Sequence, residues 1–306
     1  MKKILVATDK PFSKAAVQSI QTVVKNAGCE FALLEKYTDV ADLHKAVADV
    51  DAIIVRSDII DKAVLDAGKN LKIVVRAGAG YDNIDLAAAT AKGVCVMNTP
   101  GQNSNAVAEL VFGMLVYINR GGFDGATGTE LRGKKIGILA YGYVGRIVAS
   151  IAKGFGMDVY AHDPFVDKVL IENEGVKWEN STKDLFSKCQ YISLHVPLTA
   201  ETKESINYDL MKVMPQGATI VNTARKEVIH EPSLLKIFEE RQDFRYLSDI
   251  APDCKADLTK YTGRYFATPK KMGAQTSEAN NNAGVAAAKQ IITFLEKGDR
   301  TFQVNK

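Results

Sequence analysis

The chain is poor in the features that mark special protein classes. Its four cysteines, Cys29, Cys95, Cys189 and Cys254, stand apart with no Cys-x-x-Cys pair. That spacing excludes a zinc ribbon and a disulfide framework, so no metal site is expected and the thiols read as free. Tryptophan occurs once and proline eight times, too few of the latter for a collagen-like or low-complexity chain. Long hydrophobic runs are also lacking. The longest uncharged apolar run, Leu110 to Ile118, is too short to span a bilayer. The opening Met1–Asp9 holds an apolar stretch of about five residues, too short for a signal-peptide core, and reads as a strand. The expectation is a cytoplasmic protein without a membrane partner. Nor does one sign of charge dominate: 39 basic residues face 36 acidic ones. The basic residues come at most in pairs, such as Lys134-Lys135 and Lys270-Lys271. No nucleic-acid partner is expected from that pattern, while a small anionic substrate is compatible with it.

What is present is a long alternation of apolar runs and helical patterns. At about 150 residues per domain, 306 residues favour two domains. Predicted strands are Ile4–Ala7, Phe31–Leu34, Ala52–Val55, Ile73–Val75 and Val94–Met97. A second set comprises Ile136–Leu139, Asp158–Ala161, Tyr191–Leu194, Thr219–Val221 and Tyr246–Leu247. Continuous apolar strands point to parallel sheets covered on both faces, and intervening helices to βαβ units. Helices are expected at Ser13–Asn26, with Ser13 as N-cap, at Leu86–Lys92 ending at Gly93, at Asn103–Asn119 and at Ser277–Lys297. The last of these opens with three asparagines, Asn280 to Asn282. The Gly- and Thr-rich stretch Arg120–Gly133 reads as a loop.

The segment Lys135–Arg146 reads strand, glycine turn, helix, which is the setting the dinucleotide fingerprint requires. Gly142 would let the backbone approach a pyrophosphate, and Gly145 would let the helix pack on the strand. Ala140 replaces the first glycine of the pattern. Tyr143 and Val144 open the helix, whose N–H groups would hold phosphates. Asp163 ends the next strand, 21 residues after Gly142, where an acid accepts from ribose hydroxyls. Pro164 and Phe165 follow in place of an arginine, which favours NAD over NADP. A simple strand-end cap is the alternative role for Asp163.

Further motifs give the chain its resemblance. Val75–Asp85 (Val-Arg-Ala-Gly-Ala-Gly-Tyr-Asp-Asn-Ile-Asp), Asn98–Glu109, Ser193–Thr199 and Ile220–Arg225 all resemble segments of the D-isomer-specific 2-hydroxyacid dehydrogenases, in the family's order. The resemblance covers nearly the whole chain. It implies an α/β fold of two doubly wound parallel-sheet domains: a flavodoxin-like substrate domain (residues 1–99 plus 279–306) and a Rossmann NAD-binding domain (residues 100–278). The reacting carbons would lie between them, and dimers would form through the cofactor domain. It further implies NAD contacts at Ala140, Gly142, Tyr143, Val144, Gly145, Asp163, Pro164, Val196, Pro197, Thr202, Thr223, Ala224, Asp249 and Gly273. Substrate contacts would come from Arg56, Ser57, Gly78, Ala79 and Asn103, with backbone N–H groups of Gly78 and Ala79 on the carboxylate. Arg56 offers a forked donor suited to phosphate. Within the family the likeness is greatest to the short members that oxidise 3-phosphoglycerate at the start of serine synthesis. A chain ending at 306 is expected to lack the serine-binding regulatory domain of longer family members. Reduction of glyoxylate, hydroxypyruvate or another 2-keto acid is the second expectation, and an NAD-sensing protein without catalysis the third.

Oxidising a 2-hydroxy acid needs a cation on the carboxylate and a base on the hydroxyl. Arg225 matches the family's catalytic arginine. The family's histidine after Thr-Pro is missing: the segment reads Thr268-Pro269-Lys270-Lys271-Met272-Gly273-Ala274-Gln275. Counting from Thr-Pro selects Lys270, and counting back from Gly-Ala-Gln selects Lys271. Lys270 is preferred, since the loop after it can absorb the extra residue. The glutamate that would pair with the histidine falls on Cys254 or Asp253. A lysine, with a free pKa near 10.4, is already an acid and needs no such partner. His195 reads as structural, and His230 is the next histidine to test. Lys226 replaces a glycine for no reason visible in the sequence.

Overall fold

The computed structural model describes residues 1–305. The chain divides into two compact units: Met1–Asn103 with the stretch from Gln275 onward, and Ser104–Ala274.

The first unit alternates β1 (Lys3–Thr8), α1 (Lys14–Asn26), β2 (Glu30–Glu35), α2 (Val40–Val47), β3 (Ala52–Val55), α3 (Lys62–Ala67), β4 (Ile73–Arg76), α4 (Leu86–Ala91) and β5 (Cys95–Asn98). All five strands are parallel, in the order β2-β1-β3-β4-β5. This is the flavodoxin-like doubly wound order. Ser13 caps α1 by accepting from the Ala16 N–H. The central strand β3 is buried at all four positions, whereas the edge strand β2 is not. One face is covered by α1 and the C-terminal helix, Ser277–Lys297. That helix buries a stripe of small residues, including Ala283, Gly284 and Ala287. A β-carbon on Gly284 would meet Ile20 of α1 at 2.5 Å, so the small side is what lets the two helices touch. The chain end protects the β5 edge, where Asn305 accepts from the Val96 N–H at 2.7 Å and donates to the Val94 carbonyl at 2.9 Å.

The second unit continues with α5 (Ser104–Asn119), β6 (Lys135–Leu139), α6 (Tyr143–Gly154), β7 (Asp158–His162), α7 (Lys168–Asn173), β8 (Lys177–Trp178), α8 (Thr182–Lys188) and β9 (Tyr191–Leu194). It closes with α9 (Tyr208–Lys212), β10 (Thr219–Asn222), α10 (Glu231–Glu240), β11 (Arg245–Ser248), α11 (Lys255–Leu258) and β12 (Tyr265–Ala267). Its seven parallel strands run β12-β11-β10-β9-β6-β7-β8. Counted within the unit this is 7-6-5-4-1-2-3, the Rossmann order with a seventh strand, and the order reverses between β6 and β9. The α/β class and both parallel sheets agree with the sequence reading. Two strands escaped it. β8 is two residues long and β12 three, and both are sheet edges too short to carry a periodic signal. The helix expected to run through Lys92 ends at Ala91, with Lys92 as its cap and Gly93 left-handed at φ 68°.

Candidate active site

Because every strand of the second unit is parallel, all the C-terminal strand ends lie on one edge. The predicted turn, His195–Pro197, Thr223–Arg225, Asp249 and Thr268–Gly273 follow β6, β9, β10, β11 and β12 in turn. Ligands of doubly wound sheets bind outside this edge, at the reversal of strand order.

The turn after β6 is built from short-range contacts. Ala140 is left-handed at φ 75°, a conformation that costs a non-glycine residue energy, and its N–H donates to the His162 carbonyl. A β-carbon on Gly145 would lie 2.4 Å from the Ala140 carbonyl oxygen, so the α6–β6 approach requires glycine there. Around Gly142 a β-carbon would meet nothing within 4 Å. Gly142 is the N-cap of α6, which has no side-chain cap. The first N–H groups of α6 therefore have no side-chain partner, the state in which a helix N-terminus receives phosphate. Asp163 is 7% exposed and works as a clamp: it accepts from the Tyr141 N–H at 2.7 Å and the Phe165 N–H at 2.8 Å. The strand-end cap considered for it is thus present. Each carboxylate oxygen keeps a further lone pair for a hydroxyl. Phe165 beside it is 95% exposed. A dinucleotide fits these residues: open space at Gly142, an uncapped helix start, and an acid at the end of β7.

After β9, Val196 is half-buried and Pro197 exposed. Thr202 shapes this loop, donating to the Pro197 carbonyl at 2.6 Å and accepting from the Thr199 N–H at 2.8 Å. His195 stands between two hydroxyls, with Ser193 Oγ 2.8 Å from Nε2 and Thr223 Oγ1 3.5 Å from Nδ1. Burial pushes the imidazole down to about 3, so it is neutral at ordinary pH. His230 is the N-cap of α10, its Nδ1 accepting from the Ser233 N–H.

The arginine turn after β10 is set by Asn222, which the sequence reading did not single out. Asn222 is 3% exposed; it accepts from the Ala224 N–H at 2.9 Å and donates to the Arg225 carbonyl at 2.9 Å. An asparagine closing a strand just before a turn is a recognisable signal for this bracing. Arg225 itself is half-buried, with Nη1 3.1 Å from the Ala224 carbonyl. The next residue has an account in the structure: Lys226 Nζ reaches Asp253 Oδ1 at 2.5 Å. The Asp253 and Cys254 N–H groups both donate to Glu231 at 2.7 Å, which anchors this loop to the start of α10. Burial, and then Glu231, push the Cys254 thiol up to about 12, so it is protonated. Of the two positions on which the family's glutamate falls, one is a neutral thiol and the other a carboxylate engaged by Lys226.

The lysine loop after β12 is pinned at both ends by one group. Asp249, 2% exposed, accepts from the Met272 N–H at 2.7 Å and the Gly273 N–H at 2.9 Å. Thr268 Oγ1 lies 2.7 Å from the Asp249 carbonyl and 2.8 Å from the Lys270 carbonyl. A β-carbon on Gly273 would meet Asp249 Oδ2 at 2.8 Å. Lys270 and Lys271 are exposed on this pinned loop.

In the first unit, Arg56 follows β3. Nη1 donates to the Lys10 and Pro11 carbonyls, both at 3.1 Å, and Nη2 to Asn280 Oδ1 at 2.7 Å. The guanidinium also lies 5.0 Å from the centre of the Phe12 ring. Burial pulls its pKa below the usual arginine value, opposed by Asp58 and Asp9. Ser57 beside it is exposed. Arg76, which sequence reasoning did not single out, ends the neighbouring strand β4, pairs in register with Val55, and donates from Nε to the Arg56 carbonyl at 2.9 Å. Its guanidinium occupies the space above Gly78, where a β-carbon would lie 1.7 Å from Nη1. The Gly78 N–H donates to the Arg76 carbonyl at 2.9 Å. Ala79 is exposed, and Asn103 is half-buried. Among the described residues, no group of three or more His, Cys, Asp or Glu side chains is placed to hold a metal ion, and no helix is long and apolar enough to cross a membrane.

The profile of the D-isomer specific 2-hydroxyacid dehydrogenase catalytic domain matches residues 5–305. The chain belongs to this family. Among solved structures, this member is similar to NAD+-bound 3-phosphoglycerate dehydrogenase of Entamoeba histolytica, with 48% identity, a TM-score of 0.91, and coverage of 100% of this chain and 99% of that one. It is 34% identical to D-3-phosphoglycerate dehydrogenase of Methanocaldococcus jannaschii over 83% of its own length, and spans about half of that relative (51%). It is 32% identical to hydroxypyruvate reductase of Thermotoga maritima over 96% of this chain and 99% of that relative.

Proposed function

We propose that this family member is an NAD-dependent D-3-phosphoglycerate dehydrogenase, moving a hydride between C2 of 3-phosphoglycerate and NAD to give 3-phosphohydroxypyruvate. This would be the opening step of serine biosynthesis. The observation that carries a phosphorylated acid is a pair of arginines in the first unit: Arg76 ends β4, and Arg56 directly follows the adjacent strand β3.

NAD, when bound, supplies the hydride acceptor. Gly142 and the start of α6 would hold its pyrophosphate and Asp163 its ribose, with the exposed Phe165 next along the chain. Arg225, a planar fork that stays charged, holds the carboxylate and polarises the C2 oxygen. Lys270, or else Lys271, takes the hydroxyl proton during oxidation and returns it during reduction. Their loop hangs from Asp249, so the proton-transfer group is held by a buried carboxylate. Arg56 and Arg76 receive the phosphate, with Ser57 and Asn103 beside them in the family pattern.

A second reading, reduction of hydroxypyruvate or glyoxylate on the same machinery, is favoured by the end-to-end likeness to the Thermotoga reductase. The substrate's phosphate separates the two. Arg56→Ala should lower kcat/KM for 3-phosphoglycerate at least tenfold more than for unphosphorylated glycerate, since a lost charged hydrogen bond costs about 1.5–3 kcal/mol. Equal losses on both substrates favour the reductase. The proposal includes a cytoplasmic homodimer formed through the second unit, which gel filtration checks.

A further inference from the structure

The asparagine run at the head of the C-terminal helix has no part in the reaction described above. Its first member nevertheless touches the guanidinium to which the phosphate is assigned. Asn280 is half-buried, and both ends of its amide are committed. Oδ1 accepts from Arg56 Nη2 at 2.7 Å, while Nδ2 donates to the Thr276 carbonyl at 2.8 Å. The second bond fixes which way the amide faces, because only the oxygen is then left for the arginine. Thr276 is itself the N-cap of the helix, accepting from the Ala279 N–H at 3.1 Å. The amide is therefore held by a rigid helix start rather than by a loop.

The other contacts of Arg56 come from one side of the fold. Two carbonyls of the β1–α1 loop take Nη1, and the Phe12 ring lies against the guanidinium. Asn280 supplies the remaining fixed point, from a segment 224 residues away in the chain. With three bonds made, two of the five guanidinium N–H groups, Nε–H and one Nη2–H, remain for a ligand. A phosphate needs two such donors in one plane. Asparagine suits this position because it accepts without adding charge. An aspartate would form an ion pair and compete with the phosphate for the same cation.

We infer that Asn280 is a positioning residue for the proposed reaction, orienting Arg56 so that the enzyme prefers a phosphorylated acid over its unphosphorylated counterpart. This rests on the reading of Arg56 as the phosphate receptor.

The test is the ratio of kcat/KM for 3-phosphoglycerate to that for glycerate, in Asn280→Ala, Asn280→Asp, Arg56→Ala and the Arg56→Ala/Asn280→Ala double variant. Asn280→Ala should lower the ratio about tenfold, or about 1.4 kcal/mol. Asn280→Asp should lower it at least as far, through KM for the phosphorylated substrate. The double variant should fall no further than Arg56→Ala alone. A merely structural role lowers both activities together and leaves the ratio in place. If Arg56→Ala lowers the ratio while both folded Asn280 variants keep it within twofold of the parent, the inference is overturned and the proposed function stands. If Arg56→Ala also leaves the ratio unchanged, the phosphate reading fails and the inference falls with it.

Discussion

Asp249→Asn is the substitution whose effect the structure defines most closely. Asp249 accepts from two consecutive N–H groups of the lysine loop, Met272 at 2.7 Å and Gly273 at 2.9 Å, and is 2% exposed. Asparagine preserves the shape but removes the charge and turns one acceptor into a donor. One of the two N–H groups then faces an NH2 group. Losing one charge-assisted bond costs about 1.5–3 kcal/mol, and an unsatisfied donor costs a similar amount. The loop is exposed on its far side, so it can swing toward water and recover part of this. A net loosening of about 2 kcal/mol remains, equivalent to a drop of about thirtyfold in kcat/KM if the displaced loop is inactive. The loss should fall mainly on kcat, because the proton-transfer lysine is what moves. Steady-state NADH formation measures it, and hydrogen exchange at the Met272 and Gly273 amides reports the loosening directly. Global stability should fall less, since only one loop is released. Turnover within threefold of the parent, with exchange at these amides unchanged, would refute the reasoning.

Other perturbations test separate parts of the account. Lys270→Ala and Lys271→Ala should differ sharply: one should cost about 10²-fold or more in kcat and flatten the alkaline rise of oxidation, and near-normal turnover in both rules out lysine acid/base catalysis. Gly145→Val should weaken NAD binding and destabilise the protein by about 1–3 kcal/mol, because the new β-carbon meets a backbone carbonyl at 2.4 Å; unchanged melting and NAD affinity contradict that packing. Burial holds His195 down to about 3 in the folded state, against an unfolded value near 6.5. The unfolded chain therefore takes up the proton first, and stability that is complete above pH 6.5 declines toward pH 3. Melting temperature against pH should show a shallower acid decline in His195→Gln, and superimposable curves would contradict the assignment.

Much of the fold was legible because parallel strands buried on both faces leave continuous apolar runs, and the runs at Ala52–Val55 and Tyr191–Leu194 end at the observed residues. The edges β8 and β12 were not, since a strand of two or three residues leaves no pattern. In the site, the family resemblance pointed to Arg56, Arg225 and the lysine pair, and motif spacing to Asp163. Neither could find what braces them. Asn222 on the Arg225 turn, Glu231 on the 253–254 loop and Asn280 on Arg56 act through hydrogen bonds that depend on tertiary position. The local turn that engages the Gly78 N–H is likewise invisible in a glycine-rich string.

The most direct test of the central claim is NADH formation by the purified chain from 3-phosphoglycerate, beside parallel reactions with NADP and with unphosphorylated glycerate. The account predicts NADH from 3-phosphoglycerate with NAD, faster at alkaline pH, and far less product when NADP or glycerate is substituted. No NADH from 3-phosphoglycerate at any pH, or turnover as fast with glycerate, would contradict it.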